Sequence, residues 1–130
     1  MTYIATVKTR PITVAETQIF ARSAARIWSE AELAELVDYV AHNPEAGDVI
    51  QGTGGVRKLR WGKVGSGKRG GTRVIYFYYH SGCPLYLLLA YAKAQASDLT
   101  PDEKKAVAGF AAIIKTAAGI AGGARNEQLW

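Results

Sequence analysis

Acidic residues are missing from the middle of this 130-residue chain. No Asp or Glu lies between Asp48 and Asp98, an interval that contains eight of the 16 basic residues, whereas the rest of the chain has eight basic and 11 acidic groups. Cations at this density repel one another, and the usual gain that offsets the repulsion is neutralisation of phosphate with release of counterions. The pattern predicts a polyanionic partner, with nucleic acid as the first candidate. The eight residues are Arg57, Lys58, Arg60, Lys63, Lys68, Arg69, Arg73 and Lys93.

Cysteine, histidine and long apolar runs are also scarce. The single cysteine, Cys83, excludes an intrachain disulfide and favours an intracellular site. His42 and His80 lie far apart, so no spacing resembles a zinc site. The longest apolar run, residues 84–92, is too short to span a bilayer, and the N-terminus has no hydrophobic region typical of a signal peptide. We therefore expect a cytoplasmic protein with no metal, no cofactor and no membrane partner.

The length and composition predict one domain, because 48% apolar residues are enough to build a substantial core. We expect the domain to cover about residues 11–118, with 1–10 and 119–130 as terminal extensions. The last helix is predicted to begin at Thr100, with Glu103 as its capping-box acid, and to end near residue 118.

Two further helices are predicted in the first third of the chain. Residues 19–28 form a helical stretch, and Ser29 followed by Glu32 is a capping box that opens the next helix. Asn43-Pro44 ends that helix, because the residue before a proline avoids helical geometry. We interpret the acidic residues of this second helix as an ordinary exposed face.

Four strands are predicted from alternation and from β-branched and aromatic content. The first covers residues 12–16, and the others are VRKLRW at 56–61, RVIYFYY at 73–79 and PLYLLLAY at 84–91. The last three form an antiparallel meander. The sequence therefore predicts an α+β fold of order β-α-α-β-β-β-α, a small antiparallel sheet with the helices on one face.

The glycine-rich loop at residues 62–71 contains matches to two nucleotide-binding motifs. GSGKRG satisfies the dinucleotide fingerprint, and GKVGSGK satisfies the first seven positions of a P-loop. Both motifs require a helix immediately after the glycines, so that its N-terminal amides hold the phosphate, whereas a strand follows here. We therefore interpret neither match as a nucleotide site.

Alternation along the strand at residues 56–61 separates its basic residues. Lys58 and Arg60 face one side of the sheet, and Arg57 faces the other. We interpret the basic stretch as a positively charged sheet face, and the alternative is a solvated loop whose charges only maintain solubility. The missing acidic residues favour the first interpretation, because soluble loops normally mix both signs.

Three segments of this chain resemble a known toxin superfamily. NPEAGDVIQGTGGVRKLRW, GKRGGTRVIYFYY and LLLAYAKAQASDLTPDE occur in order and at family-like spacing. They are similar to the RelE/HigB superfamily of type II toxin-antitoxin toxins, particularly its HigB-like branch, over roughly residues 11–118. The resemblance implies a microbial-RNase-like α+β fold and ribosome-dependent cleavage of mRNA. It also implies a cognate antitoxin, in HigB-type systems usually one with a helix-turn-helix domain of the HigA kind.

The resemblance also implies site residues. Cleavage of RNA through its own 2′-hydroxyl requires a base, stabilisation of a phosphorane and an acid, and in RelE-like enzymes lysines and arginines take over these roles. Lys58 and Lys93 are candidate bases, and Tyr91 is a candidate acid. The predicted catalytic residues are Lys58, Arg60, Arg69, Arg73 and Lys93, and the predicted RNA-binding residues are Arg57, Lys63, Lys68 and Tyr91.

Two other functions remain open at this point. A ParE-like toxin of the same fold inhibits gyrase by protein contact and would need no cluster of Lys and Arg on one strand face. A non-catalytic RNA-binding relative would keep the basic face without cleavage. An assay of mRNA cleavage on purified, arrested ribosomes separates the three possibilities.

The glycine-rich loop generates a first prediction. Simultaneous replacement of Lys63, Lys68 and Arg69 by Gln should weaken ribosome binding and flatten its salt dependence by about 0.7 to 0.9 log units per lost phosphate contact. The melting temperature should change little. Ribosome affinity measured across a salt series tests this, and an affinity equal to that of the wild type would make the loop a simple hairpin connection.

Overall fold

The computed structural model describes residues 11–62, 71–93 and 98–129, with side chains up to residue 119. The described part of the chain forms a sheet of five strands and three helices. In chain order the elements are β1 (Val14–Glu16), α1 (Gln18–Ala25), α2 (Glu30–His42), β2 (Asp48–Val49), β3 (Val56–Trp61), β4 (Thr72–Phe77), β5 (Leu85–Ala92) and α3 (Pro101–Leu129).

Side-chain caps determine where the helices begin. Ser29 Oγ accepts the backbone N–H of Glu32 at 3.2 Å, and Glu32 accepts the N–H of Ser29 at 2.9 Å, so the predicted capping box is confirmed. Thr100 and Glu103 form the same reciprocal pair at the start of α3. These four residues satisfy amides that would otherwise have no intrahelical partner.

Two predicted helix ends were wrong. The first helix ends at Ala25 instead of residue 28, because the N–H groups of Arg26 and Ile27 turn back to the carbonyls of Ser23 and Ala24 at 3.3 and 3.0 Å. The last helix extends to Leu129 instead of ending near residue 118. Residues 119–130 contain no proline that would stop the helix, and the three glycines there weaken helix propensity without blocking it.

The strand order is β1-β5-β4-β3-β2. The meander of β3, β4 and β5 is confirmed, as is the α+β class, and β2 adds a short fifth strand at the edge. The sheet is mixed and not purely antiparallel, because β1 lies parallel to β5. Backbone bonds from Leu85 N–H to Thr13 O at 2.8 Å and from Thr17 N–H to Leu87 O at 3.1 Å hold β1 in that position.

The helices cover both faces of the sheet, which corrects the expectation that they share one face. Phe20 of α1 and Leu36 of α2 pack in one core, and Val107 and Ala111 of α3 pack in the other. The reason lies in β4, whose residues 73–77 are buried on both sides. A strand that is apolar on both faces needs a covering layer on each.

A β-bulge in β5 changes which of its side chains share a face. Ile75 pairs with Leu89 and Tyr76 pairs with Leu87, so Leu88 has no partner in β4. The extra residue reverses the alternation for the rest of β5. As a result Tyr91, which lies opposite Arg73, points to the α3 side of the sheet together with the predicted catalytic residues.

Tyr76 ties the sheet to the segment that follows α2. Its hydroxyl donates to Pro44 O at 2.9 Å and accepts the N–H of Gly47 at 2.8 Å. Burial raises the pKa of Tyr76, so the hydroxyl remains a donor well above neutral pH. A Cβ on Gly47 would lie 3.0 Å from the ring of Tyr76, so this close approach requires glycine.

These bonds generate a second prediction. Tyr76→Phe should lower the free energy of unfolding by about 1 to 3 kcal/mol, because a buried N–H and a carbonyl would lose their partner. Urea denaturation measures the change. Tyr79→Phe is the matched control, since Tyr79 is exposed, and it should be neutral. Equal stability of Tyr76→Phe and wild type would show that the two bonds contribute nothing.

Candidate functional site

A row of polar side chains crosses the sheet where β3 ends, β4 begins and β5 ends. Arg60 of β3 lies directly opposite Arg73 of β4, and Arg73 lies directly opposite Tyr91 of β5. Residues that face each other across strands project from the same side of a sheet. The three side chains therefore form one line on the α3 side of the sheet, where Tyr91 packs against the core.

The two arginines in this row carry like charges at directly opposite positions. Like charges directly opposite each other destabilise a sheet. Arg73 is also only 6% exposed, and burial of a guanidinium is costly unless other groups interact with it. On the predicted basic sheet face, the structure buries Arg73 and leaves Arg60 exposed beside it.

Two lysines complete the cationic cleft, which we define as the surface of Lys58, Arg60, Arg73 and Lys93. Lys58 lies two residues before Arg60 on the same face of β3. Lys93 follows β5 directly, and its backbone N–H donates to Gly71 O at 2.7 Å, which holds it beside the start of β4. The cleft has a volume of about 480 Å³. The structure thus brings together four of the five predicted catalytic residues.

Two aspartates lie next to the cationic cleft, which sequence reasoning missed. Asp48 of β2 is the cross-strand partner of Lys58, and Asp98 forms an ion pair with the same lysine at 3.4 Å between Oδ1 and Nζ. They are the two residues that bound the acid-free interval of the sequence. A hairpin between β2 and β3 would have predicted the first contact, but no local pattern indicates the second.

Asp98 is ionised at neutral pH. The backbone N–H of Leu99, which donates at 2.8 Å, and the ammonium group of Lys58 hold the pKa of the Asp98 carboxyl below its usual range. The carboxylate is therefore a counterion for Lys58 and is not a proton donor.

Tyr91 differs from the other members of the row because its hydroxyl is buried. Among the described residues, Tyr91 Oη has no hydrogen-bond partner. Burial, followed by the nearby charge of Asp98, raises the pKa of Tyr91. The group is therefore a neutral donor at the end of a line of cations.

Comparison with known proteins identifies the family of this chain. Residues 12–121 match the family described as the RelE toxin of the RelE / RelB toxin-antitoxin system. The chain belongs to the RelE toxin family. Among solved structures, a mutant of the E. coli toxin RelE in the free state has 13% sequence identity with this chain and a TM-score of 0.49. That match covers 67% of this chain and 88% of the other.

The family assignment confirms the RelE/HigB resemblance, while the HigB-like branch stays a prediction. The protein is the toxin of a toxin-antitoxin system, and a cognate antitoxin is its partner. No helix among the described residues is both long enough and apolar enough to cross a membrane. Nor do the described residues contain a group of three His, Cys, Asp or Glu side chains that could hold a metal ion.

The remaining predicted site residues are Arg57 and three residues of the glycine-rich loop. Arg57 is on the opposite side of β3, where its Nη1 donates to Glu45 O at 3.1 Å and to Gly47 O at 2.7 Å. These bonds give Arg57 a structural role beside Tyr76, away from the cationic cleft. Lys63, Lys68 and Arg69 lie outside the described residues, so their predicted contacts with RNA stay predictions.

The unpartnered hydroxyl generates a third prediction. Tyr91→Phe should leave the free energy of unfolding unchanged or raise it by up to about 1 kcal/mol, because the substitution removes a buried polar atom without a bond. Urea denaturation of both proteins tests this. A loss of stability comparable to that expected for Tyr76→Phe would show that the Tyr91 hydroxyl has a partner.

Proposed function

We propose that this toxin is a ribosome-dependent mRNA endonuclease that inhibits translation in the cytoplasm, with the cationic cleft and Tyr91 as its active surface. The observation that supports the proposal most is the direct opposition of Arg60 and Arg73, one exposed and one buried. Two guanidinium groups in register concentrate positive charge at one point of the sheet. A bound phosphate that becomes more negative during reaction is stabilised by both groups.

The chemistry of RNA cleavage matches these side chains. Attack of the 2′-hydroxyl on the adjacent phosphate forms a phosphorane with two negative charges, and the P–O5′ bond then breaks. Arg60, Arg73 and Lys93 are positioned to stabilise that charge from one face of the sheet. Their guanidinium and ammonium groups stay fixed by the strands, so little reorganisation is needed as charge develops.

Proton transfer requires a base and an acid on the same surface, and Lys93 is a candidate for one of these roles as well. Lys58 and Lys93 are the candidate bases for the 2′-hydroxyl, and Tyr91 is the candidate acid for the departing 5′-oxygen. The raised pKa of Tyr91 keeps its proton at neutral pH. Asp98 balances the charge of Lys58 in the free toxin, and the RNA phosphate takes its place when substrate enters.

The ribosome has a defined role in this proposal. A cleft of about 480 Å³ on one sheet face holds a phosphate and its neighbours but does not enclose an RNA strand. The decoding site of the ribosome supplies the rest of the enclosure. It also holds the mRNA with its 2′-oxygen, phosphorus and 5′-oxygen in line. We infer that the cognate antitoxin, of the helix-turn-helix HigA-like kind, presents acidic groups to the cationic cleft and competes with RNA there.

A fourth prediction tests the active surface. Lys58→Ala and Arg60→Ala should each slow mRNA cleavage on purified ribosomes by the equivalent of about 2.7 to 4 kcal/mol, by analogy with the loss of one charge-stabilising donor. Both side chains extend from the sheet face without contributing to either apolar core, so folding should be retained. Arg73→Ala should also abolish cleavage, but its burial makes a melting curve a necessary companion measurement.

Lys105→Ala is the matched control. Lys105 is exposed on α3, away from the cationic cleft, and the substitution removes the same charge. If Lys58→Ala and Arg60→Ala cleave as fast as Lys105→Ala, the assignment of the active surface is wrong. Absence of cleavage by the wild type, together with growth arrest in cells, would favour a gyrase-directed or other non-nucleolytic toxin.

A further inference from the structure

The opposite side of the sheet carries a second cavity that the proposed endonuclease activity does not use. We call it the aromatic groove. It lies between α2 and the end of β3 and has a volume of about 730 Å³. Its defining side chains are Trp28, Tyr39, Trp61, Glu35, Asp38 and His42.

Three aromatic rings form the wall of the groove. The centroids of Tyr39 and Trp61 are 5.1 Å apart with an interplanar angle of 45°, so the two rings are in contact. Trp28 packs at 6.4 Å against the buried Phe20, which fixes its position. Tyr39 nevertheless keeps 38% of its surface exposed. An exposed ring face attracts cations through its quadrupole.

The charges around these rings are negative. Glu32, Glu35 and Asp38 are spaced three residues apart on α2, so they lie along one side of that helix, and all three line the groove. One carboxylate oxygen of Glu32 caps the helix, and Asp38 lies 3.5 Å from Nδ1 of His42. No Lys or Arg is among the described residues that line the groove.

This combination selects a class of partner. Carboxylates repel RNA, so the groove is unsuitable for the substrate that the cationic cleft would bind. A Lys or Arg side chain fits both features, because it can lie over an aromatic face while its charge meets a carboxylate. The two surfaces meet at the end of β3, where Arg60 lines the cationic cleft and Trp61 lines the groove.

We propose that the aromatic groove binds a basic segment of the cognate antitoxin, with an Arg or Lys side chain over Tyr39 and Trp61 and facing Glu35 and Asp38. The edge of the sheet favours a segment of a partner chain, because the backbone groups of an edge strand can pair with an added strand. Among the described residues, β2 pairs only with Arg57 and Lys58, so the last residues of β3 lack a neighbouring strand on that side. One antitoxin chain could therefore contact both surfaces, with acidic groups on one and basic groups on the other. The proposal rests on the family's antitoxin partner and not on RNA cleavage.

The charge contribution is tested with the full-length antitoxin encoded with this toxin as the probe. The double variant Glu35→Gln/Asp38→Asn should raise the Kd for the antitoxin at least tenfold at low ionic strength, and high salt should reduce the difference. Glu16→Gln/Glu30→Gln is the matched control, because it removes two exposed carboxylates that do not line the aromatic groove. The control should bind like the wild type.

The aromatic contribution is tested at Tyr39. Tyr39→Leu should weaken antitoxin binding several-fold, because it removes the ring face, whereas Tyr39→Phe should bind like the wild type. Both substitutions lie on an exposed position, so thermal melting should be similar. An equal loss of antitoxin affinity in the two variants would contradict a cation over the ring and would overturn this contact.

Four further outcomes have defined meanings. A wild-type Kd for the carboxylate double variant overturns the proposal. The proposal is also overturned if these substitutions abolish self-association of the toxin measured by sedimentation while leaving antitoxin binding intact, since the occupant is then a second copy. Retained mRNA cleavage on ribosomes with lost antitoxin binding supports it. If neither the wild-type toxin nor any variant cleaves mRNA, the proposed function fails. The Kd comparison still shows whether the aromatic groove binds the antitoxin.

Discussion

The burial of β4 on both faces is the constraint on which the rest of this toxin depends. Residues 74–77 are apolar or aromatic and fully covered, so helices must pack on each side of the sheet. α1 and α2 cover one face, and α3 covers only part of the other. Arg73, at the start of β4, and Arg60 opposite it belong to the other part of that face. The cationic cleft therefore lies beside the apolar core of the α3 side and not within it.

The charge asymmetry of the sequence corresponds to two oppositely charged surfaces on the two sides of the sheet. Cations from β3, β4 and the end of β5 meet on the α3 side, while the carboxylates of α2 line the aromatic groove on the other side. The sheet separates the two sets of charges and so limits their mutual neutralisation. Asp48 and Asp98 do not follow this division, because both lie beside Lys58. A toxin with this division can offer phosphate one surface and a basic protein segment another.

Local signals in the sequence predicted the elements well. The capping boxes of α2 and α3, the alternation of β3 and the aromatic β4 all depend on neighbouring residues, and each was found. The parallel pairing of β1, the second helical layer and the bulge at Leu88 depend on contacts between distant segments, which no local pattern records. The same reason explains the site. Lys58, Arg60, Arg73 and Lys93 were predicted from charge and family resemblance, whereas the contact of Asp98 with Lys58 spans 40 residues.

If the proposed activity is correct, cations on the sheet face promote attack by the 2′-hydroxyl of ribosome-bound mRNA. The most direct measurement uses purified ribosomes that hold an mRNA with a single 2′-deoxynucleotide at the position that the wild-type toxin cleaves. Cleavage at that position should disappear, since the nucleophile is missing. Cleavage of the all-ribose mRNA should proceed and leave a cyclic phosphate on the upstream product. Undiminished cleavage at the deoxynucleotide would contradict attack by the 2′-hydroxyl, because the nucleophile would then be a different group.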